Sequence, residues 1–273
     1  MTKHKFGGIW TEVKLDVLEN YLTAYSTALK DKFNLLYVDA FAGSGKFITK
    51  NNPEKQDGSA LRALKNAEFD RYAFIEQDTK RLSELQALCE ENFPNRNMSF
   101  HPGDANEILP EILASHPKKN WRIMIFLDPY GMTLYWETLR KIANSKAADL
   151  WYLFPISGLA RNAAKRFEAL DSYKERAIDQ LLGTPDWREA FYEEPPTADM
   201  FTEGLKTREK DIKDLEKFVK QRLEELFSLV EDPIRLPSTG SQLYSLFFAI
   251  SNDSRVAHAL AHRIAGHVIK IAY

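Results

Sequence analysis

The chain has 273 residues, 44% of them hydrophobic, which is enough for one large core with room for a subdomain. Its 37 Lys and Arg nearly cancel 39 Asp and Glu, so no overall basic field argues for nucleic acid, although a nucleic-acid substrate is not excluded. The single cysteine, Cys89, rules out a disulfide framework and cannot by itself supply a zinc or iron–sulfur site. It lies at helical spacing from Leu82, Leu85 and Leu88 and reads as a packed thiol. No apolar run approaches the ~20 residues of a membrane span. The opening MTKHKFGGIWTEVK has no apolar leader, so a cytoplasmic protein without membrane association is the expectation.

In chain order, Glu12–Lys30 puts Leu15, Leu18, Leu22, Tyr25 and Leu29 on one helical face. The apolar runs NLLYVDAF, RYAFIEQD, NMSFHPGDA, WRIMIFLDPYG and ADLWYLFPI follow, separated by helices from about Ser59, Thr79, Ala105 and Trp136. This alternation predicts a doubly wound, mostly parallel α/β sheet. After Pro155 the order breaks. From Ser157 to about Ser228 the chain reads as mainly helical, with a turn-rich middle, GTPDWREAFYEEPPTADM, and is too long for one crossover. We therefore expect a core over 1–156, a helical insertion or cap over 157–228, and a return over 229–273. The return holds two late strands, SLVEDPIRLPS and SQLYSLFFAISND, and a last helix.

The first strand runs into the turn LLYVDAFAGSGKF. A phosphate-binding P-loop would need Gly where Ala40 stands and a hydroxyl where Phe47 stands. A dinucleotide fingerprint would need a third glycine at Ile48, and Asp39 would repel a pyrophosphate. That acid suits S-adenosylmethionine, whose methionine end carries an ammonium beside a cationic sulfur. Gly43 and Gly45, with Ala42 between the acid and the glycines, would let the backbone approach the ligand. Glu76, followed by Gln77, ends the second strand where an acid would take the ribose hydroxyls. Asp104, followed by Ala105, falls after the third strand, near the adenine amino group. Acids at strand ends also serve as helix caps, and each one alone admits that reading. Three in register with a glycine turn are harder to attribute to capping. One departure is KFITKNNPEKQD, a polar loop between the glycine turn and the next helix cap at Gly58-Ser59, which reads as a flap.

The fourth strand ends in FLDPYGM, which sets Asp128, Pro129 and Tyr130 at the crevice where open α/β sheets bind ligands. Methyltransferases acting on exocyclic amines carry Asp/Asn-Pro-Pro-Tyr there. The acid and the proline carbonyl accept from the amine, and the ring stacks on the base. Here the second proline is missing and the aromatic comes one residue earlier. A rigid turn with Tyr130 covering the core is the competing reading.

GIWTEVKLDVLENYLTAY, YVDAFAGSG, FIEQD, FLDPYGM and FPISGLAR together resemble the three-Cys-motif partner proteins, a bacterial family with a class I methyltransferase-like architecture. The resemblance runs from about Trp10 through the late strands. It implies a Rossmann-like fold and an S-adenosylmethionine-dependent methyltransferase working beside a separate three-cysteine protein. The resemblance does not carry a substrate; an amine acceptor, in a nucleobase or a protein, is what FLDPYGM suggests. The competing expectation is a catalytically silent module that binds that partner.

Two further residues belong to the candidate site. Lys14, with Trp10 and Thr11 at the head of the first helix, is placed to pair with the methionine carboxylate, or else is a solvated lysine. Arg161, after the fifth strand, is a candidate substrate contact. His258 and His262 share a helix face without a third ligand, so no metal site is expected.

Overall fold

The computed structural model describes residues 9–48, 56–194, 205–237 and 240–271. Helical apolar spacing turns one face of helix α1 (Ile9–Leu29) inward, and Leu15, Leu18, Leu22 and Tyr25 are all buried. The next segment, NLLYVD, is buried after its first residue, with Leu35 to Val38 apolar or aromatic before Asp39, and forms strand β1 (Asn34–Asp39), enclosed from both faces. Two-residue strands β2 (Lys46–Phe47) and β3 (Gln56–Asp57) then pair antiparallel, so the ends of the expected flap are joined. The flap's middle, 49–55, lies outside the described residues.

Regular alternation follows, with α2 (Ser59–Asn66), β4 (Arg71–Glu76), α3 (Thr79–Asn92), β5 (Met98–Pro102), α4 (Ala105–Ser115), β6 (Trp121–Leu127), α5 (Trp136–Ser145) and β7 (Ala148–Phe154). Asp78 and Asp104 cap α3 and α4 by accepting from backbone N–H groups of the first turn. The expected cap at Gly58-Ser59 differs: Gly58 makes no side-chain cap bond. Ser59 is the helix's first residue, and its hydroxyl lies toward Asp39, opposing the rise of that acid's pKa. Cys89 is fully buried on α3, and burial pushes its thiol up to about 12.

Between β7 and the late strands lie α6 (Ile156–Asn162), a short 3-10 turn, α7 (Ser172–Leu182), α8 (Trp187–Phe191) and α9 (Ile212–Glu224). Ile178, Leu182, Trp187, Phe191 and Leu215 join the same buried cluster as Ile123 and Leu127 of β6. These helices therefore share a core with one face of the sheet. The turn-rich EEPPTADM falls largely in 195–204, outside the described residues. The late strand expected over SLVEDPIRLPS is split into β8 (Leu229–Val230) and β9 (Ile234–Leu236). Pro233 lies between them and has no N–H to give a ladder. Both pair antiparallel with β10 (Tyr244–Ile250), and α10 (Arg255–Ile271) follows.

The sheet order is β5-β4-β1-β6-β7-β10-β8, with β9 also on β10. Strands β5 through β7 are mutually parallel, while β10 runs against β7. The chain winds outward from β1 to β5 and returns to β6 on β1's other side. The carboxyl ends of β1 and β6 thus form the switch-point crevice. Helices α1, α2, α3 and α10 cover the second face around Tyr21, Leu61, Cys89 and Ile264.

Candidate active site

The glycine turn is stitched to both strands beside it. Ala40 N–H donates to Phe126 at 3.1 Å, Ala42 N–H to the Ile75 carbonyl at 3.0 Å, and Gly43 N–H to Glu76 Oε2 at 2.9 Å. Ala42 itself is buried. Gly43 and Gly45 have φ of 62° and 79°, which L side chains adopt only with strain. They serve different ends. A Cβ on Gly43 would meet open space, whereas one on Gly45 would lie 2.7 Å from Leu85 Cδ1 on α3. Gly43 therefore leaves room beside the crevice, and Gly45 lets the turn pack against α2 and α3. Gly45→Ala is expected to destabilise the protein by about 2–3 kcal/mol in urea unfolding, from φ strain and overpacking together. Gly43→Ala should cost about 1 kcal/mol.

Asp39 ends β1 fully buried, with Tyr37 Oη and Phe41 N–H each donating to it at 3.4 Å. Burial, the largest cause, raises its pKa from 3.8 to about 7; the Asp128 charge adds to this, while Ser59, Phe41 and Lys14 oppose it. The folded value exceeds the unfolded one. Asp39's contribution to stability is thus full below the ordinary carboxylate range and is lost as pH rises through about 7. Glu76 is half-buried, and Asp78 N–H donates to its Oε1 at 2.9 Å, so each of its oxygens is fixed by a backbone amide. Gln77 beside it is exposed.

Asp104 caps α4, and its Oδ1 accepts from Asn106 N–H at 2.8 Å and Asn106 Nδ2 at 2.9 Å. Ala105 is buried behind it. Asn106 also donates to the Thr133 carbonyl at 2.9 Å and accepts from Tyr135 N–H at 2.9 Å and Thr138 Oγ1 at 2.8 Å. Its amide is thus fully used. It ties the Asp104 turn to the loop that follows Asp128. Sequence reasoning passed over Asn106 because the loop it holds lies 27 residues away.

Asp128 stands half-buried at the end of β6, followed by buried Pro129, Tyr130 at 77% exposure, and Gly131 with φ 71°. Tyr130 does not cover the core. Lys14 from α1 reaches Asp128 and forms an ion pair with its Oδ2. Its side chain is only 8% exposed, so it is not a solvated lysine. The Lys14 ammonium also lies 5.6 Å from the Trp10 ring centroid, and Trp10 packs on Tyr244 at 4.9 Å. Tyr244 opens β10. Because β10 runs antiparallel, its first residues lie beside Phe154, at the carboxyl edge of the sheet. Burial foremost, then the Asp128 charge, holds the Tyr244 hydroxyl above its usual range, with Arg161 pulling the other way. Arg161 is exposed on α6, bonded to Ser157 Oγ at 3.2 Å. The crevice thus gathers Trp10, Lys14, Asp128, Tyr130, Arg161 and Tyr244. His258 bonds Ser228 and Asn252, His262 bonds Glu231, and no metal-binding cluster occurs among the described residues.

No protein-family model matches the sequence, and no curated protein does. The resemblance to three-Cys-motif partner proteins accordingly rests on the sequence motifs. Among solved structures, protein LPL1258 from Legionella pneumophila str. Philadelphia 1, family-model DUF519, superposes with a TM-score of 0.56 at 13% identity, over 96% of this chain and 92% of that one. Trm1 from Pyrococcus horikoshii, in complex with S-adenosyl-L-methionine, gives 0.46 at 11% identity, over 93% of this chain and 58% of that one. The putative methyltransferase yhhF from Escherichia coli gives 0.40 at 11%, over 87% and 86%. The first likeness shows a shared fold, and the looser two carry no argument. With five parallel strands and a reversed β10 between β7 and β8, the sheet is of the expected class I methyltransferase-like, Rossmann-like kind. No helix among the described residues is long and apolar enough to cross a membrane.

Proposed function

We propose that this chain is an S-adenosylmethionine-dependent methyltransferase whose acceptor is an amine, in a nucleobase or a protein. The observation that carries the reading is the convergence of Asp39, Asp128 and the open side of Gly43 at one switch point. The residues fit the cofactor. Glu76 is clamped by two amides yet keeps a lone pair on each oxygen for ribose hydroxyls. Asp104 uses Oδ1 for Asn106, leaving Oδ2 for an adenine amino group. Thr11 Oγ1 is buried one helical turn before Lys14, with no partner among the described residues, and would donate to the methionine carboxylate. Asp39, enclosed, acts on the ammonium by its field and by holding Phe41 in the turn.

When bound, S-adenosylmethionine supplies a methyl group on a cationic sulfur. Asp128 would accept from the acceptor's N–H and hold its lone pair in line, while Pro129 fixes the turn and Tyr130 offers a face for the acceptor to pack on. Arg161 would meet an anionic part of the substrate. A second reading is a silent module that docks on a three-cysteine protein. It draws on Lys14 already occupying Asp128.

Calorimetric titration separates the ligand classes. S-adenosylhomocysteine should bind in the micromolar range, about −8 kcal/mol. Glu76→Ala should weaken it by about 1–3 kcal/mol. Binding of NAD or ATP with no response to S-adenosylhomocysteine would remove the methyltransferase reading.

A further inference from the structure

Under the methyltransferase reading, the carboxylate that orients the acceptor nitrogen already holds an amine of this same chain. Lys14 Nζ sits on Asp128 Oδ2, more enclosed than the acid it pairs with: the side chains are 8% and 27% exposed. Leu15, Leu18 and Tyr21 anchor α1 in the core, so the Lys14 backbone is fixed and its amine reaches the crevice on a tether. Fixing a nucleophile in this way replaces a bimolecular encounter with an intramolecular one. The ring of Trp10 lies 5.6 Å from the ammonium, braced by Tyr244. An aromatic face beside a carboxylate is the surrounding that favours methylated ammonium groups.

We infer that Lys14 is a methyl acceptor in its own protein, a modification that rests on the methyltransferase reading. The ammonium of Lys14 first gives up a proton, through Asp128 to water, so that Nζ has a lone pair. A cationic sulfur nearby assists, because like charge disfavours the ammonium form. The Nζ–C bond then forms as the C–S bond breaks. The products are N-methylated Lys14, S-adenosylhomocysteine and the released proton, so charge and atoms balance. A mono- or dimethylated ammonium keeps an N–H for Asp128, whereas a trimethylated one has none and would leave the half-buried carboxylate without that bond. Methylation therefore stops at two.

The test uses the intact protein incubated with methyl-labelled S-adenosylmethionine at alkaline pH. It is followed by whole-protein mass measurement and peptide mapping, with S-adenosylhomocysteine calorimetry on the same preparation. The expected result is a gain of one or two methyl masses, confined to the peptide that contains Lys14. Lys14→Arg keeps the cation on Asp128 and should lower the incorporated label by at least about tenfold. Mapping of the wild-type chain locates the methyl group whether or not that variant folds. If S-adenosylhomocysteine binds and Lys14 stays unmodified, or another residue takes the label, the inference is overturned and the methyltransferase reading stands. If S-adenosylhomocysteine does not bind, both fall.

Discussion

Replacing Asp128 with alanine should lower methyl transfer by on the order of 10²-fold or more, because one positioned group is lost from the reacting geometry. Affinity for S-adenosylhomocysteine should change by less than about 1 kcal/mol if, as proposed, Asp128 contacts the acceptor and not the cofactor. The structure adds a cost to the alanine variant: Lys14, 8% exposed, loses its ion-pair partner. Asp128→Asn keeps a hydrogen-bond acceptor both for Lys14 and for an amine N–H, so it should spare the fold and retain more transfer than Asp128→Ala. The assay follows labelled methyl from S-adenosylmethionine into a fractionated lysate, with and without a three-cysteine protein. Wild-type rates in Asp128→Ala would end the acceptor role. A wild type that labels no fraction yet binds the three-cysteine protein would favour the silent module.

The largest expected loss of stability lies away from the crevice, at Glu216 on α9. This carboxylate is 4% exposed and accepts from Arg235 Nε at 2.8 Å, Gln242 Nε2 at 2.6 Å and Ser245 Oγ at 2.7 Å. It ties the inserted helices to β9 and β10. Removing it leaves the fully buried Ser245 O–H without its acceptor, although Gln242 Nε2 still donates to Ser245 Oγ at 2.9 Å. Arg235, at 44% exposure, contributes little. Glu216→Ala should cost about 3 kcal/mol, roughly 6–12 °C in Tm by calorimetric scan. Lys220 pairs with Asp232, which is 91% exposed, and Lys220→Ala should stay within about 0.5 kcal/mol. Equal effects in the two variants would mean that Glu216 is not a tie.

Much of the fold could be read because burial on both faces writes parallel strands as continuous apolar runs, and β1, β4, β6 and β7 are such runs. The break at Pro233 was less legible, because SLVEDPIRLPS reads as one strand until a partner strand demands N–H donors at fixed places. The turn glycines showed as a pair. Which of them packs and which faces open space depends on Leu85, which only the folded chain brings to Gly45. Asp128 was visible at the end of its strand. Lys14 was visible as a candidate partner for a methionine carboxylate, but its pairing with Asp128 was not, since no spacing rule links residues 114 apart. Tyr244 was hidden for another reason. Its place at the crevice depends on a strand that reverses direction, and the alternation of runs does not record direction.

That reversal sets the order in which the crevice can be completed during synthesis. The glycine turn, Glu76 and Asp104 lie within the first 104 residues, and their strands β1, β4 and β5 pair with one another without later chain. Asp128 arrives with β6. Tyr244, which braces Trp10 beside the lysine on that acid, leaves the ribosome more than 100 residues after Asp128, behind the whole helical insertion. A nascent chain that ends after β5 therefore carries the glycine turn, Glu76 and Asp104 but still lacks Phe126, which accepts from Ala40 N–H, and the Tyr244 wall. On the methyltransferase reading, a chain that bound S-adenosylmethionine before Tyr244 emerged would hold it with that side of the crevice still open.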